Sequence, residues 1–526
     1  MNDNAVSLGL DFGTESVRAL FVRMNGQQVG EAVVPFAHGQ IVESLPTTGE
    51  TLPPDYALQH PTDWLDASAQ AVQQALHEGK VQPQDIIGIG VDFTSCTMLP
   101  TRIDGTPLCL SDEFGKCPLA WPKLWKHHGA KSQTDRMNQL ARERREPWLS
   151  RYGGGIGLEW FFPKILETLE VEEAVYDAAD VWLEGGDWFV WQLIGGPASE
   201  LPRSTCQAGY KGMWDAKDGF PSTEYFAALH PKLTDVVTAK MPGKFAAPGT
   251  RVGGLCAESA RRMGLPEGIP VSAAIIDAHA GAVGVGAEPG TLVMVMGTSS
   301  CHMLNSEAFQ EVPGVAGIVK DGILPGYYGH ETGQAAVGDA FDWTRKFLGA
   351  EDFRTLTQAA ASIPPGAEGV LCVDWFNGCR TPLMDGSLRG AFLGLTLHHT
   401  SAHAYRAALE ASAFGVRWIV DLLREHKVPV SRFVATGGLP HHNPLLMQIY
   451  ADVLDEPVHV PETKQGPALG AAILGALAAG VDTKAAMALA HNQKGIVFEP
   501  NASVRAVYEE CYRRYRECCD LLRKAK

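Results

Sequence analysis

Four short stretches combine carboxylates, hydroxyls and glycines in a way that suits phosphate chemistry. In Asp11-Phe12-Gly13-Thr14 a carboxylate ends an apolar run, and a glycine and a hydroxyl follow in a tight turn. The glycine lets backbone N–H groups approach phosphate oxygens, the hydroxyl adds a donor, and the carboxylate can hold Mg2+ or its waters. Arg18, just beyond the turn, is placed to meet a transferring phosphoryl group. The same residues also describe a plain hairpin turn with a surface arginine, and taken alone the two readings balance. Gly297-Thr298-Ser299-Ser300 is a second turn of this kind, and two at matching positions would clamp a polyphosphate. Gly437-Gly438 ends a further apolar run ahead of Asn443 and Pro444. Bare backbone there suits a nucleotide, but by itself a turn needing positive φ is the better account. Asp277 ends the apolar run 271–276 before Ala-His-Ala-Gly. At a strand end it can take the proton of a hydroxyl attacking phosphorus; by itself, the helix N-cap is the better reading.

Other phosphate and metal solutions are missing. There is no GxxxxGK[ST] loop and no GxGxxG with an acidic partner. His399 and His403 have a zinc-helix spacing but lack the HExxH glutamate, and they read as ordinary residues near a helix start at Thr400 or Ser401. Eleven cysteines are scattered without a CxxC pair, which argues against a zinc site or disulfide framework and for a reducing compartment.

The elements that must position these residues follow from the apolar pattern. Runs at 6–12, 17–24 and 29–36, split by GTES and NGQQ, predict antiparallel strands. A helix is expected over 61–77, capped by Thr62 or Asp63, and then a strand at 86–94 that is apolar throughout. LVMVMGTSSCHML in the second half repeats LGLDFGTESVRALFV, with a spacing of about half the chain. A helix near 334–348, a strand at 369–375, a helix over 401–425 and a strand at 433–436 are expected after it. Helix 465–480, rich in Ala and Gly, predicts tight packing, and the Cys511, Cys518 and Cys519 region an amphipathic C-terminal helix. The plan is α/β, with two related domains, 1–286 and 287–526. An insertion at about 116–270, rich in Trp and Gly, is a natural place for substrate recognition.

At 526 residues the chain exceeds what one core serves, and 45% apolar with 20% charged residues is an ordinary globular balance. The net charge of −16 argues against nucleic acid or an anionic membrane as partner. The most apolar stretch, 468–481, is too short to span a bilayer, and no basic-then-apolar leader opens the sequence, so a cytoplasmic location is expected.

Taken in order, DFGTESVR, EWFFPKI, IDAHAG, MGTSS, GHETGQAAVGDAFDW, ATGGLPHHNPLLMQIYADVL and GPALGAAILGALAAG resemble the FGGY carbohydrate kinases. The resemblance covers residues 6 to 485. It implies duplicated actin/hexokinase/Hsp70-like (ribonuclease H-like) domains with a catalytic cleft between them. GVDFTSCTMLPTRIDGTPLC, LEGGDWFVWQLIG and AGYKGMWD are similar to the bacterial L-ribulokinase subgroup. The implied activity is ATP- and Mg2+-dependent phosphorylation of L-ribulose in arabinose catabolism. A kinase for another pentulose or polyol, such as ribitol or xylulose, and a non-catalytic ATP-dependent switch are the alternatives. By resemblance Asp11 serves Mg2+, Gly13, Thr14 and Arg18 meet the phosphates, and Asp277 is the general base. Gly297 and Thr298 meet the phosphates from the other side, and Gly338, Gly437, Gly438 and Asn443 line the nucleotide pocket. The sugar is expected against Ser95, Cys96 and Thr97, with Trp125, Lys211 and Glu331 nearby. Trp125-Lys126-His127-His128 departs from the Trp-x-Asp-x-Arg stretch of many members, so sugar contacts do not transfer there. A homodimer is implied by the resemblance alone.

Overall fold

In the computed structural model, which describes residues 4–463, 465–491 and 494–525, the first three apolar runs form an antiparallel meander: Val6–Phe12, Ser16–Arg23 and Gln28–Pro35. Val6–Phe12 is buried along its whole length because Ile86–Phe93 runs parallel to it on its other side. Pro270–Ser272 and Ile275–Ile276 run parallel to Ile86–Phe93 in turn, and Arg251–Gly254 closes the edge antiparallel. A strand with neighbours on both sides and helices on its faces reads as continuous apolar sequence, as these do. Helix Pro61–Gly79 lies against the meander, but its cap is neither Thr62 nor Asp63. His60 caps it by accepting from the Thr62 N–H, and Pro61, which has no N–H, fills the first turn. Asp63 is engaged elsewhere, accepting from the backbone N–H and the ring of His38.

The second half repeats this order. Thr291–Met296, Ser300–Ser306 and Tyr328–Gln334 make the meander, with Gly317–Lys320 added at its edge. Arg432–Thr436 lies parallel to Thr291–Met296, Val458–Pro461 parallel to that, and Gly495–Phe498 closes the sheet antiparallel. Both sheets run meander, parallel, parallel, antiparallel edge, so the fold is a duplicated α/β one. The third strand of the second meander was not apparent in the sequence. Tyr328–Gln334 reads YGHETGQ, and the helix expected from residue 334 begins at Gly338. Nearly the whole strand is buried, so tertiary context overrides its weak strand propensity. The strand expected at 369–375 shortens to Leu371–Val373 and pairs with Ala391–Leu393 outside the main sheet. The long helix Ser401–Glu425 is capped by Thr400, one of the two starts expected, and His403 Nδ1 accepts from the Thr400 N–H.

A helix pair joins the halves. Asp277–Gly284 packs on Gly466–Ala478, and Gly466–Ala478, though it follows most of the second sheet in sequence, lies on the first. A Cβ on Gly90 would stand 1.8 Å from the Ala471 carbonyl oxygen, and one on Gly470 would stand 1.8 Å from that of Ala280. Helix backbone thus rests directly on its neighbours, as the Ala/Gly-rich sequence predicts. Beside the first sheet an aromatic-rich core forms around Trp121, Trp148, Trp160 and Trp182. The insertion placed at 116–270 ends earlier than expected, because the chain rejoins the first sheet at Arg251–Gly254. That strand reads RVGG, whose two glycines hide its strand character. Among the described residues no helix is long and apolar enough to cross a membrane.

Candidate active site

Charged groups gather at one end of the first sheet. Asp11 stands directly opposite Arg18 across the antiparallel pair, and Arg18 Nη1 donates to Asp11 Oδ2 at 3.0 Å. Arg18 is therefore tied to the turn's carboxylate instead of pointing away from it. On the other side the parallel strand sets Asp92 in register with Asp11, and Asp277 follows Ile276, which pairs with Phe93. Burial raises the Asp11 carboxyl, and Arg18 opposes the shift. Burial pushes Asp277 up to about 7, although its Oδ1 accepts from the Ala278 N–H at 2.7 Å. Asp277 is the first residue of its helix and not the cap; Ile276 holds the cap position and has no side-chain bond to offer. The sequence reading missed Asp92. A lone acid in the apolar strand IIGIGVDF was the available signal.

The two glycine turns occupy the same place, between the first two strands of each meander, but close over three residues in one case and two in the other. Gly13 N–H donates to the Ser16 carbonyl and Gly297 N–H to that of Ser299, each at 2.9 Å. The second turn rests on the start of helix Gly338–Phe347: Gly338 N–H donates to Gly297 O at 3.0 Å, and Val337 and Asp339 N–H groups donate to Thr298 O. A Cβ on Gly338 would lie 2.6 Å from that Gly297 oxygen. Gly437 has φ 96 and would place a Cβ 2.4 Å from Met296 O, so it needs both its conformation and its bareness. Gly297, Thr298, Gly338, Gly437 and Gly438 thus meet at one end of the second sheet, with open space above Gly438. Asn443 caps helix Pro444–Leu454 through Oδ1, which accepts from the Leu446 N–H at 3.1 Å.

Ser95, Cys96 and Thr97 follow strand Ile86–Phe93. Cys96 is left-handed at φ 57, and the buried Lys164 holds its carbonyl. Lys164 Nζ donates to Cys96 O and Leu124 O, both at 2.7 Å, and so joins this loop to the segment carrying Trp125. Lys164 was also missed as a positioning residue; a lysine inside the apolar run FFPKI was the clue. Thr97 is fully buried with its hydroxyl on Thr94, and burial pushes the Cys96 thiol up to about 12. Ser95 Oγ lies 3.2 Å from Cys96 Sγ. Trp125 is exposed and donates from Nε1 to Thr14 Oγ1 at 3.1 Å, linking the expected sugar side to the first glycine turn.

Lys211 reaches across to the second sheet, with Nζ 2.9 Å from Glu331 Oε1, while His279 Nε2 lies 3.3 Å from Oε2. Burial opposes charge on both partners, but their attraction outweighs it: Lys211 is held above its usual range and Glu331 well below its own. Lys211, Glu331, Glu159, Trp160, Arg142 and Arg380 line a cavity of about 330 Å³. This is polar, partly enclosed space of a size for a small polyhydroxy ligand. His38, His60 and Asp63 also cluster, but the two rings stack at 4.3 Å and 13°, so their lone pairs do not converge on one ion. Together these groups place a glycine turn at the end of each sheet, a buried carboxyl near neutrality between them and an ion pair that can both donate and accept hydrogen bonds.

The N-terminal domain of the FGGY family of carbohydrate kinases matches residues 6–284, and its C-terminal domain matches 292–479. The chain is 43% identical to ribulokinase of Geobacillus thermodenitrificans (strain NG80-2), over 98% of this chain and 94% of that one. It is likewise 43% identical to ribulokinase of Mycolicibacterium smegmatis, over 98% and 93%. The crystal structure of xylulose kinase from Rhodospirillum rubrum superposes with a TM-score of 0.82 at 25% identity, covering 99% of both chains.

Proposed function

The chain belongs to the FGGY family of carbohydrate kinases, and on that premise we propose that it transfers the γ-phosphoryl group of ATP to O5 of L-ribulose in cytoplasmic arabinose catabolism. The observation that carries this reading is the set of two matching glycine turns together with Asp277, whose carboxyl is poised near neutrality. The choice of ribulose rests on similarity to ribulokinases over almost the whole chain. Residues 1–286, with the insertion, serve as the sugar-side domain and residues 287–526 as the nucleotide-side domain.

In this mechanism Asp277 accepts the O5 proton as that oxygen attacks phosphorus in line. Arg18 and the backbone N–H groups of Thr14 and Thr298, next to the internally bonded Gly13 and Gly297, face the phosphoryl oxygens, where fixed donors favour the developing charge. Gly338, Gly437, Gly438 and Asn443 border the nucleotide. Lys211, Glu331 and the Ser95–Thr97 loop, with Trp125, orient the sugar hydroxyls, and an ionised pair can both donate and accept. Asp11 would hold Mg2+. An all-oxygen donor set with a neighbouring unpartnered carboxylate fits such a hard cation. The ion, when bound, neutralises phosphate charge. Phosphorus and carbon NMR of the product made from MgATP and L-ribulose tests the assignment. Phosphate on C5 is expected; phosphate at another carbon, or no sugar phosphate, would refute it.

A further inference from the structure

Asp92 is the only charged residue of strand Ile86–Phe93 and is completely buried. Among the described residues no N–H or hydroxyl group donates to either of its carboxyl oxygens. Arg18, Asp11 and Asp92 stand in one row on three successive strands, and Arg18 pairs with Asp11 and not with Asp92. On the other flank, Ile275 and Ile276 lead into Asp277, another acid. Asp92 therefore lies among carboxylates, within hydrogen-bonding reach of Asp11. A buried carboxylate is strongly unfavourable unless a cation or donors compensate it. Two carboxyl groups face a single guanidinium in this row, and the two acids offer only oxygen ligands, the preference of a hard divalent ion.

On the kinase reading above, we propose that Asp92 is a second ligand of the divalent cation that accompanies ATP, sharing it with Asp11 across the two parallel strands. Two carboxylates on adjacent rigid strands fix the ion more firmly than one at a turn. They also leave Asp277 outside the ligand set and able to take a proton.

The test is Mn2+ binding in the presence of ADP, followed by loss of the free-ion electron paramagnetic resonance signal, in the wild-type chain, Asp92→Asn, Asp92→Ser and Asp11→Asn. Asn keeps the size of Asp and can donate to Asp11, so the sheet is retained; Ser removes the carboxylate should Asn disturb the fold. Circular dichroism and Tm report folding. Both Asp92 variants are expected to bind Mn2+ about tenfold or more weakly, with metal-free ADP binding unchanged. Wild-type Mn2+ affinity in the folded Asp92 variants would overturn the proposal and leave Asp92 as a neutral hydrogen-bond partner of Asp11. Sugar-dependent ADP release by the wild type is measured alongside. Release with unaltered Mn2+ binding in the variants removes only the ligand assignment; no release removes the kinase reading and the proposal with it.

Discussion

Asp277 is the residue on which the proposed chemistry depends most, and its surroundings make predictions about both rate and stability. A base must be ionised to act, and burial holds this carboxyl at about 7. kcat/KM for the sugar should therefore rise about tenfold per pH unit below 7 and level off above it. A profile flat from pH 5.5 to 8 would assign the proton elsewhere. Asp277→Asn should lower kcat by about 10²–10⁴ while the fold persists. The same shift has a stability cost of definite sign. The folded carboxyl titrates above its unfolded value of about 3.9, so the native state binds the extra proton between the two, and stability falls as pH rises from about 4 to 7. Asp277→Asn should accordingly raise Tm at pH 8 and change it little at pH 4, by thermal denaturation at each pH. Lys211 and Glu331 behave as a unit. Lys211→Met leaves a buried carboxylate uncompensated and should destabilise the fold by about 3–5 kcal/mol. Adding Glu331→Gln should restore much of the Tm but not the sugar KM; restoration of both would make the pair purely structural.

At the scale of elements, backbone contact between Gly466–Ala478 and its neighbours holds the site together. Gly470→Ala would drive a methyl group into the Ala280 carbonyl, with no flexible side chain to yield, and should cost several kcal/mol or prevent folding. A Tm within two degrees of the wild type would show that the helix can shift. How far the sequence disclosed these elements depended on whether a local signal existed. The first meander, strand Ile86–Phe93 and helix Ser401–Glu425 carry clear periodicity and were predicted close to their observed bounds. Tyr328–Gln334 carries none: its polar residues are buried only because distant segments surround them, so the strand bearing Glu331 was not seen as one. Arg251–Gly254 was hidden by glycines for a similar reason. The candidate site was readable in the sequence where its residues are contiguous, as in Asp11–Thr14 and Gly297–Thr298. It was not where partners meet across the fold: Trp125 on Thr14, Lys164 on Cys96, His279 beside Glu331. Sheet register, which sets Asp92 beside Asp11, was equally out of reach without the pairing of the strands.

At the scale of the whole molecule, the proposed site needs both halves of the chain. Lys211 comes from the segment beside the first sheet and Glu331 from the second, while one glycine turn stands on each sheet. Ligands that contact both halves should favour the same relative placement of the two, so each should tighten the other's binding by the same factor. Calorimetric titration of L-ribulose with and without a non-hydrolysable MgATP analogue should show this coupling. Equal affinities would mean that the halves do not communicate. The central claim, a sugar kinase directed to L-ribulose, is tested most directly by sugar-dependent ADP release from MgATP. L-ribulose, D-ribulose, L- and D-xylulose, ribitol and glycerol would be compared with a no-sugar control. The account predicts negligible release without sugar and the highest kcat/KM with L-ribulose. A higher kcat/KM with another sugar would contradict the ribulose assignment, and equal release with and without sugar would contradict the kinase chemistry itself.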